Sequence, residues 1–291
     1  MNKKLLLDSD ELCYYGALFG QRKEYVAFNP DTKEELYSGT RKSEIIESIG
    51  NHKWDIFERE VDLGIEPAIE ACRQWIKDAT VELESNDILL MFNGKNNFRY
   101  EMATILPYKG NRDPSKRPIH LKECIEYIKS EHLFQSVDHL ESDDLLAVNQ
   151  GEDTIIVTQD KDLNTVSGLH YNPRKKLLFN VTEEEATRFH YTQMLTGDTS
   201  DNIPGLSFIG EKTAEKILGN STNPIELYSK VLKTYKSLVN SKGEHIHPKG
   251  KKKGEVAWKS DKSVEDIVWE VANLLFMRRT LDPDERWEPP V

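Results

Sequence analysis

Four short stretches of this sequence carry acids at spacings that suit chemistry. Asp160 and Asp162 follow directly on the β-branched run Thr154–Thr158, so they read as paired carboxylates at the end of a buried strand. At positions i and i+2 after a strand they point the same way and repel unless a cation sits between them. Glu141, Asp143 and Asp144 precede the apolar run Leu145–Val148, and on a helix over 142–150 Glu141 and Asp144 would share one face. Acids at a helix start also cap free amides and complement the dipole, so this cluster alone reads equally well as a cap. Asp198 and Asp201 lie three apart, on one face if their turn is helical, and Asp8 closes the apolar run Lys3–Leu7. With no clustered cysteine or histidine, the donors are oxygen only, the set preferred by Mg2+ or Mn2+. Two such ions ~4 Å apart are the standard device for hydrolysing a phosphodiester, and they require no protein nucleophile.

These acids need a scaffold that brings distant segments to one edge. Residues 3–7, 87–92 and 154–158 read as strands separated by helical patterns, which predicts an α/β fold with its site at the carboxyl edge of the sheet. Residues 64–83 and 119–133 are amphipathic helices, and Asn29-Pro30-Asp31 predicts a peripheral hairpin within 25–37. Thr182 with Glu185 is a capping box for a helix running to about Thr196. Between 93 and 119 the chain is broken by Pro107, Gly110, Pro114 and Pro118. From Lys109 to Lys129 six Lys/Arg face three acids, with Tyr108 beside Lys109 and Arg112. Basic side chains next to an aromatic suit a grip on nucleic acid, charge for the backbone and ring for a base. Lys109 and Arg112 could stabilise charge on the same phosphate. Gly205–Gly210 opens a helix over 206–218, where the amides and Lys212 suit a phosphate. Residues 224–239 and 263–277 are helical patterns. Between them residues 245–262 hold six lysines against two acids, the composition of a mobile loop, with His245 and His247 as surface histidines.

Bulk composition narrows the classes. A chain of 291 residues with 37% hydrophobic and 31% charged residues is globular, and no apolar stretch approaches a membrane span. Leu5-Leu6-Leu7 runs straight into Asp8, so a signal-peptide core is not expected. Cys13, Cys72 and Cys124 are far apart and odd in number, which suits reduced thiols in a cytoplasmic compartment. The net charge is −11, but the eight carboxylates above account for −8 of it and leave −3 elsewhere. Local basic patches rather than the total then steer a polyanion.

The order of Asp8, Tyr108-Lys109-Gly110-Asn111-Arg112, Glu141-Ser142-Asp143-Asp144, Gln159-Asp160-Lys161-Asp162 and 197–205 (GDTSDNIPG), followed by 209–214 (IGEKTA), resembles the flap endonuclease family. That family includes the 5′→3′ nuclease domain of bacterial DNA polymerase I and the small phage exonucleases, and the likeness spans Lys3 to Leu218. It implies an α/β, PIN-like three-layer nuclease core over 1–180 with an arch region at 93–131. It also implies a helical DNA-binding region over 181–291, with a helix–three-turn–helix at 197–219 that takes duplex DNA and K+. By the same likeness Asp8, Glu141, Asp143 and Asp144 serve one Mg2+ or Mn2+, and Asp160, Asp162, Asp198 and Asp201 the other. Lys109 and Arg112 are then catalytic, Tyr108 stacks on a base, and Gly205, Gly210 and Lys212 bind the strand. The expected partner is DNA with 5′ ends or flaps, acted on by a monomer beside replication proteins. Three positions depart from the pattern: Phe92-Asn93-Gly94 lacks the usual acid, Ser142 replaces a small residue, and 206–209 alters the middle of the glycine turn.

A PIN-type ribonuclease would share the acids but not the 197–205 turn and its helix. A phosphatase built on Asp8-x-Asp10 leaves the later motifs unexplained. A DNA-binding protein with a degenerate site would keep eight mutually repelling acids for nothing.

Overall fold

The computed structural model describes residues 3–50 and 54–291. In chain order the first part comprises β1 (Lys4–Asp8), α1 (Ser9–Ala17), β2 (Gln21–Phe28), β3 (Glu35–Gly39), α2 (Lys42–Ile49) and β4 (Asp55–Asp62). There follow α3 (Ile65–Glu82), β5 (Ile88–Met91), α4 (Arg99–Met102), α5 (Leu121–Glu131), β6 (Phe134–Gln135) and α6 (Ser142–Asn149). Next come β7 (Thr154–Val157), β8 (Gly168–Asn172), β9 (Leu177–Val181), α7 (Glu183–Thr196) and α8 (Glu211–Leu218). The chain ends with α9 (Pro224–Leu238), β10 (Glu244–Ile246), β11 (Val256–Lys259) and α10 (Val264–Leu275). Two compact units result: Met1–Asp8 with Glu84–Pro114 and Phe134–Val291, and Ser9–Leu83 with Ser115–Leu133. Residues on both sides of position 180 lie in the first unit.

The first unit is built on a six-stranded sheet in the order β6-β5-β1-β7-β8-β9. All pairs are parallel except β8–β9. Leu5, Leu6 and Leu7 have no exposed surface, as a strand paired on both sides and covered on both faces requires. β1 therefore delivers Asp8 to the carboxyl edge beside the ends of β5 and β7. α6 packs against β1 and β5 through Leu145 and Leu146. A separate apolar cluster joins α7, α8, α9 and α10 through Met194, Leu218, Val231 and Val271. The capping box of α7 forms as the sequence predicts, Thr182 accepting from the Glu185 amide and Glu185 from the Thr182 amide.

The second unit holds the sheet β3-β2-β4 and the helices α1, α3 and α5. The Asn29 side chain turns the predicted hairpin by accepting from the amides of Asp31 and Thr32. β4 and α2 carry no clear periodicity and are not legible in sequence. The three cysteines, distant in sequence, all lie buried and free in this unit, with Cys72 in contact with both Cys13 and Cys124.

One expectation is overturned here. Residues 245–262 form an ordered antiparallel hairpin, β10–β11, not a mobile loop. His245 has no exposed surface; its Nε2 accepts the Ser207 amide at 2.7 Å, so it is a core residue. Among the described residues no helix is long and apolar enough to cross a membrane.

Candidate active site

At the carboxyl edge of the six-stranded sheet a cavity of about 80 Å³ is lined by Glu141, Asp143, Asp160, Asp162, Asp198 and Asp201, facing Tyr108, Lys109 and Arg112. The acids arrive on different devices. Glu141 is the residue before the first turn of α6 and Asp143 lies within that turn. Asp160 follows β7 and caps a short 3-10 turn by accepting from the Asp162 amide at 2.8 Å. Asp198 and Asp201 belong to a tight turn, not to a helix: Asp198 and Ile203 exchange backbone hydrogen bonds of 3.1 and 2.7 Å across it. The Asp198 carboxylate accepts from the Ser200 amide, the Ser200 hydroxyl and the Asp201 amide, which ties the turn together.

The bonding of the basic strip to these acids is the least expected feature. Lys109 binds Glu141 and stands 3.5 Å from Asp201, and Arg112 binds Asp201. Burial alone would lower the Lys109 ammonium, but Glu141 and Asp201 hold it above its ordinary value. Tyr108 is only 4% exposed, and its hydroxyl lies 2.7 Å from both Glu141 and Asp201. Burial first, then the charge on Glu141, pushes its phenol well above the usual range. Its ring lies under the Lys109 ammonium and against the edge of Tyr100. A base cannot stack there, which corrects the stacking role expected for Tyr108. The exposed aromatic is Tyr100, 58% accessible, which the sequence pattern did not single out.

Asp144 is the second correction. It is fully buried, and both its oxygens are taken by the Arg99 guanidinium at 2.7 and 2.8 Å. The amides of Glu141 and Arg278 also donate to it, each at 3.1 Å. Burial pushes the other way, yet Arg99 holds this carboxyl below its ordinary value. With its lone pairs spent on a guanidinium and two amides, it has no oxygen left for a cation. Arg99, itself 1% exposed, also reaches the carbonyls of Leu274 and Phe276 at the end of α10. It thereby locks the start of α6, and with it Glu141, in place. Asn93, at the position that lacks an acid, uses its carbonyl oxygen to accept the Ser142 amide at 2.8 Å, a second cap on α6.

The remaining acids are electrostatically crowded. Burial, then Asp8, Asp160 and Glu141, pushes Asp143 well above the carboxylate range. Asp160 reaches solvent, yet desolvation inside the cavity and then Asp201 and Asp198 raise it. Asp162 is pushed up to about 7 by burial, Asp160 and Asp198, although Gln193 donates to it at 2.7 Å. Asp8 sits deeper, accepting from the Thr158 hydroxyl at 3.0 Å. Among the described residues no group of three or more His, Cys, Asp or Glu forms a ready-made metal site. The donor chemistry nevertheless fits a hard cation: all oxygen, and charged beyond what the protein's own bases neutralise. Gly205, Gly210 and Lys212 are not among the residues lining this cavity: Gly205 and Gly210 lie in the turn before α8 and Lys212 in the first turn of that helix.

No protein-family profile matches the chain. Sequence relatives do. The DNA polymerase I of Streptococcus pneumoniae is 32% identical over 193 residues, covering 55% of this chain and 21% of the polymerase. A 5′-3′ exonuclease of Buchnera aphidicola is 28% identical over 177 residues, covering 53% of this chain and 57% of that protein. Over about half its length the chain is thus similar to proteins that include 5′-3′ exonucleases. It spans only part of the length of these relatives. Among solved structures, bacteriophage T5 5′-exonuclease with bound zinc superposes at a TM-score of 0.53 and 13% identity, over 94% of this chain and 89% of that one. A T5 flap endonuclease complex with DNA and metal ions gives 0.53 at 14% identity, over 92% and 87%. These likenesses show a shared PIN-like α/β fold.

Proposed function

We propose that the chain is a metal-dependent 5′→3′ exonuclease or flap endonuclease that hydrolyses DNA phosphodiesters. The observation that carries it is the cavity at the sheet edge, where acids from separate segments of a 5′-3′ exonuclease relative meet Lys109 and Arg112. Two Mg2+ or Mn2+ held by Asp143, Asp160, Asp162 and Asp198, with Asp8, Glu141 and Asp201 around them, would neutralise charge on the phosphate and acidify the attacking water. Lys109 and Arg112 supply fixed positive charge where the phosphate carries its developing negative charge. Glu141 and Asp201 aim those two bases, and the Tyr108 hydroxyl holds both acids still. Arg99 and Asp144 act one step back by fixing the start of α6.

In this reading residues 1–180 together with Asp198 and Asp201 supply the chemistry, and the rest of 181–291 the grip on duplex DNA. The segment 197–219 serves as a helix–three-turn–helix presenting Gly205, Gly210 and Lys212, with K+ as its ion. The enzyme works as a monomer in the cytoplasm, beside replication proteins.

Digestion of 5′-labelled duplex, flapped and single-stranded DNA beside an RNA control, with Mg2+ and then EDTA, tests this. Mg2+-dependent release of short 5′ products from DNA is the expected result. Cleavage of RNA alone would favour a PIN-type ribonuclease, and cleavage in EDTA would end the metal assignment.

A further inference from the structure

We propose that the tip of the β10–β11 hairpin is a second grip on duplex DNA, fixed to the Gly205–Gly210 turn so that both act on one phosphate backbone. This rests on the nuclease reading above. Four ammoniums crowd the tip, Lys249, Lys251, Lys252 and Lys253, and all are exposed. Among the described residues the hairpin's own ion pair is at its base, Lys259 with Glu244 at 3.4 Å, and no carboxylate pairs with the four at the tip. A run of like charges is most often a solvated surface, but such a run has no reason to be anchored.

This one is anchored at three points. The buried His245 accepts the Ser207 amide at 2.7 Å, and the Trp258 indole donates to the Gly205 carbonyl at 2.9 Å. These bonds pin β10 and β11 to neighbouring residues of the same turn. Phe208, at the centre of that turn, adopts a φ of 65°, which a bulky side chain rarely tolerates. Its ring carries the Lys249 ammonium at 5.3 Å and the His247 ring at 6.3 Å. At Gly250, φ 81°, a Cβ would come within 2.8 Å of the same ring, so the tip lies directly on it. Strain in the turn thus serves to seat the lysines.

The arrangement selects the partner. A single-strand grip needs rings open to bases. Here the tip presents four ammoniums and one ring, Phe208, about half exposed and already carrying the Lys249 ammonium, so charge dominates the surface. Such a surface reads the regular backbone of a duplex without regard to sequence, and being preformed it forfeits little entropy on binding.

The test is the variant with Lys249, Lys251, Lys252 and Lys253 all changed to Gln, titrated with labelled duplex DNA in EDTA over a range of salt. Affinity should fall at least ~10-fold, and the slope of log K against log salt should become shallower by about 3, close to 0.9 for each phosphate no longer neutralised. Binding of a short single strand should change far less, and kcat at saturating duplex should stay as in the parent. Unchanged duplex affinity and slope, or an equal loss on both substrates, overturns the proposal while leaving the nuclease reading intact. A parent chain that neither binds nor cuts DNA overturns both.

Discussion

Tyr108 separates two roles that one residue type can play. A ring used for stacking tolerates Phe, whereas a hydroxyl used to hold Glu141 and Asp201 does not. Tyr108→Phe should therefore lower kcat by about tenfold or more, with KM little changed, because the one charge-assisted hydrogen bond that its hydroxyl proton can make to this pair of acids, roughly 1.5–3 kcal/mol, is lost. Full activity in that variant removes the hydroxyl from any part in positioning the two acids. Asp160 makes the complementary case. Its carboxyl is raised by desolvation and by Asp201 and Asp198, so Asn relieves repulsion and stabilises the apo fold while removing a cation ligand. Cleavage by Asp160→Asn should drop ~10²-fold or more, with duplex binding retained. Cleavage at the parent rate with Mg2+ present rules out the ligand assignment. Asp144 shows why spacing alone misleads: it shares a motif with Glu141 and Asp143, yet a buried arginine 45 residues upstream claims both its oxygens.

At the scale of elements, the site depends on turns as much as on strands. The 197–205 turn closes so tightly that a Cβ on Gly205 would lie 2.1 Å from the Thr196 carbonyl oxygen. Gly197, at φ 66°, is confined by Gly205 in return. Gly205→Ala should cost at least about 2 kcal/mol in urea denaturation, since backbone rather than a flexible side chain must move. Because Asp198 and Asp201 ride on this turn, the same variant should lose activity even where it remains folded; wild-type stability would show that the turn yields freely. Helix starts matter similarly. α6 is held at its first turn by Asn93 and Asp144, so the residue missing from the acid pattern has become a cap. Sequence periodicity located α3, α5, α6, α7 and α9 because each carries an apolar stripe or a cap. It could not read β4, whose DIFEREVD run neither alternates regularly nor has a buried face.

Across the first unit, one buried group makes a pH-dependent contribution to stability. His190 is packed among Tyr191, Phe276 and Trp287, and among the described residues neither ring nitrogen has a hydrogen-bond partner. Burial, then Arg279, pushes its imidazole down to about 3. The unfolded chain, with an ordinary value near 6.5, binds the extra proton first, so stability is intact above that pH and is lost as pH falls below it. His190 alone should remove ~2 kcal/mol between about pH 7 and pH 5. His190→Phe should flatten that part of the urea-midpoint profile, and an identical profile would show that the ring is solvated. From sequence alone the α/β class, most of the strands and helices and the six acids that line the cavity follow, because alternation, caps and strand-end carboxylates are local signals. What the tertiary structure decided is how those acids are used. Arg99 takes Asp144, Tyr108 turns inward, and the lysine-rich segment becomes a hairpin seated on Phe208. Each outcome depends on a partner far along the chain, and no local spacing encodes which charge will meet which once the core has closed.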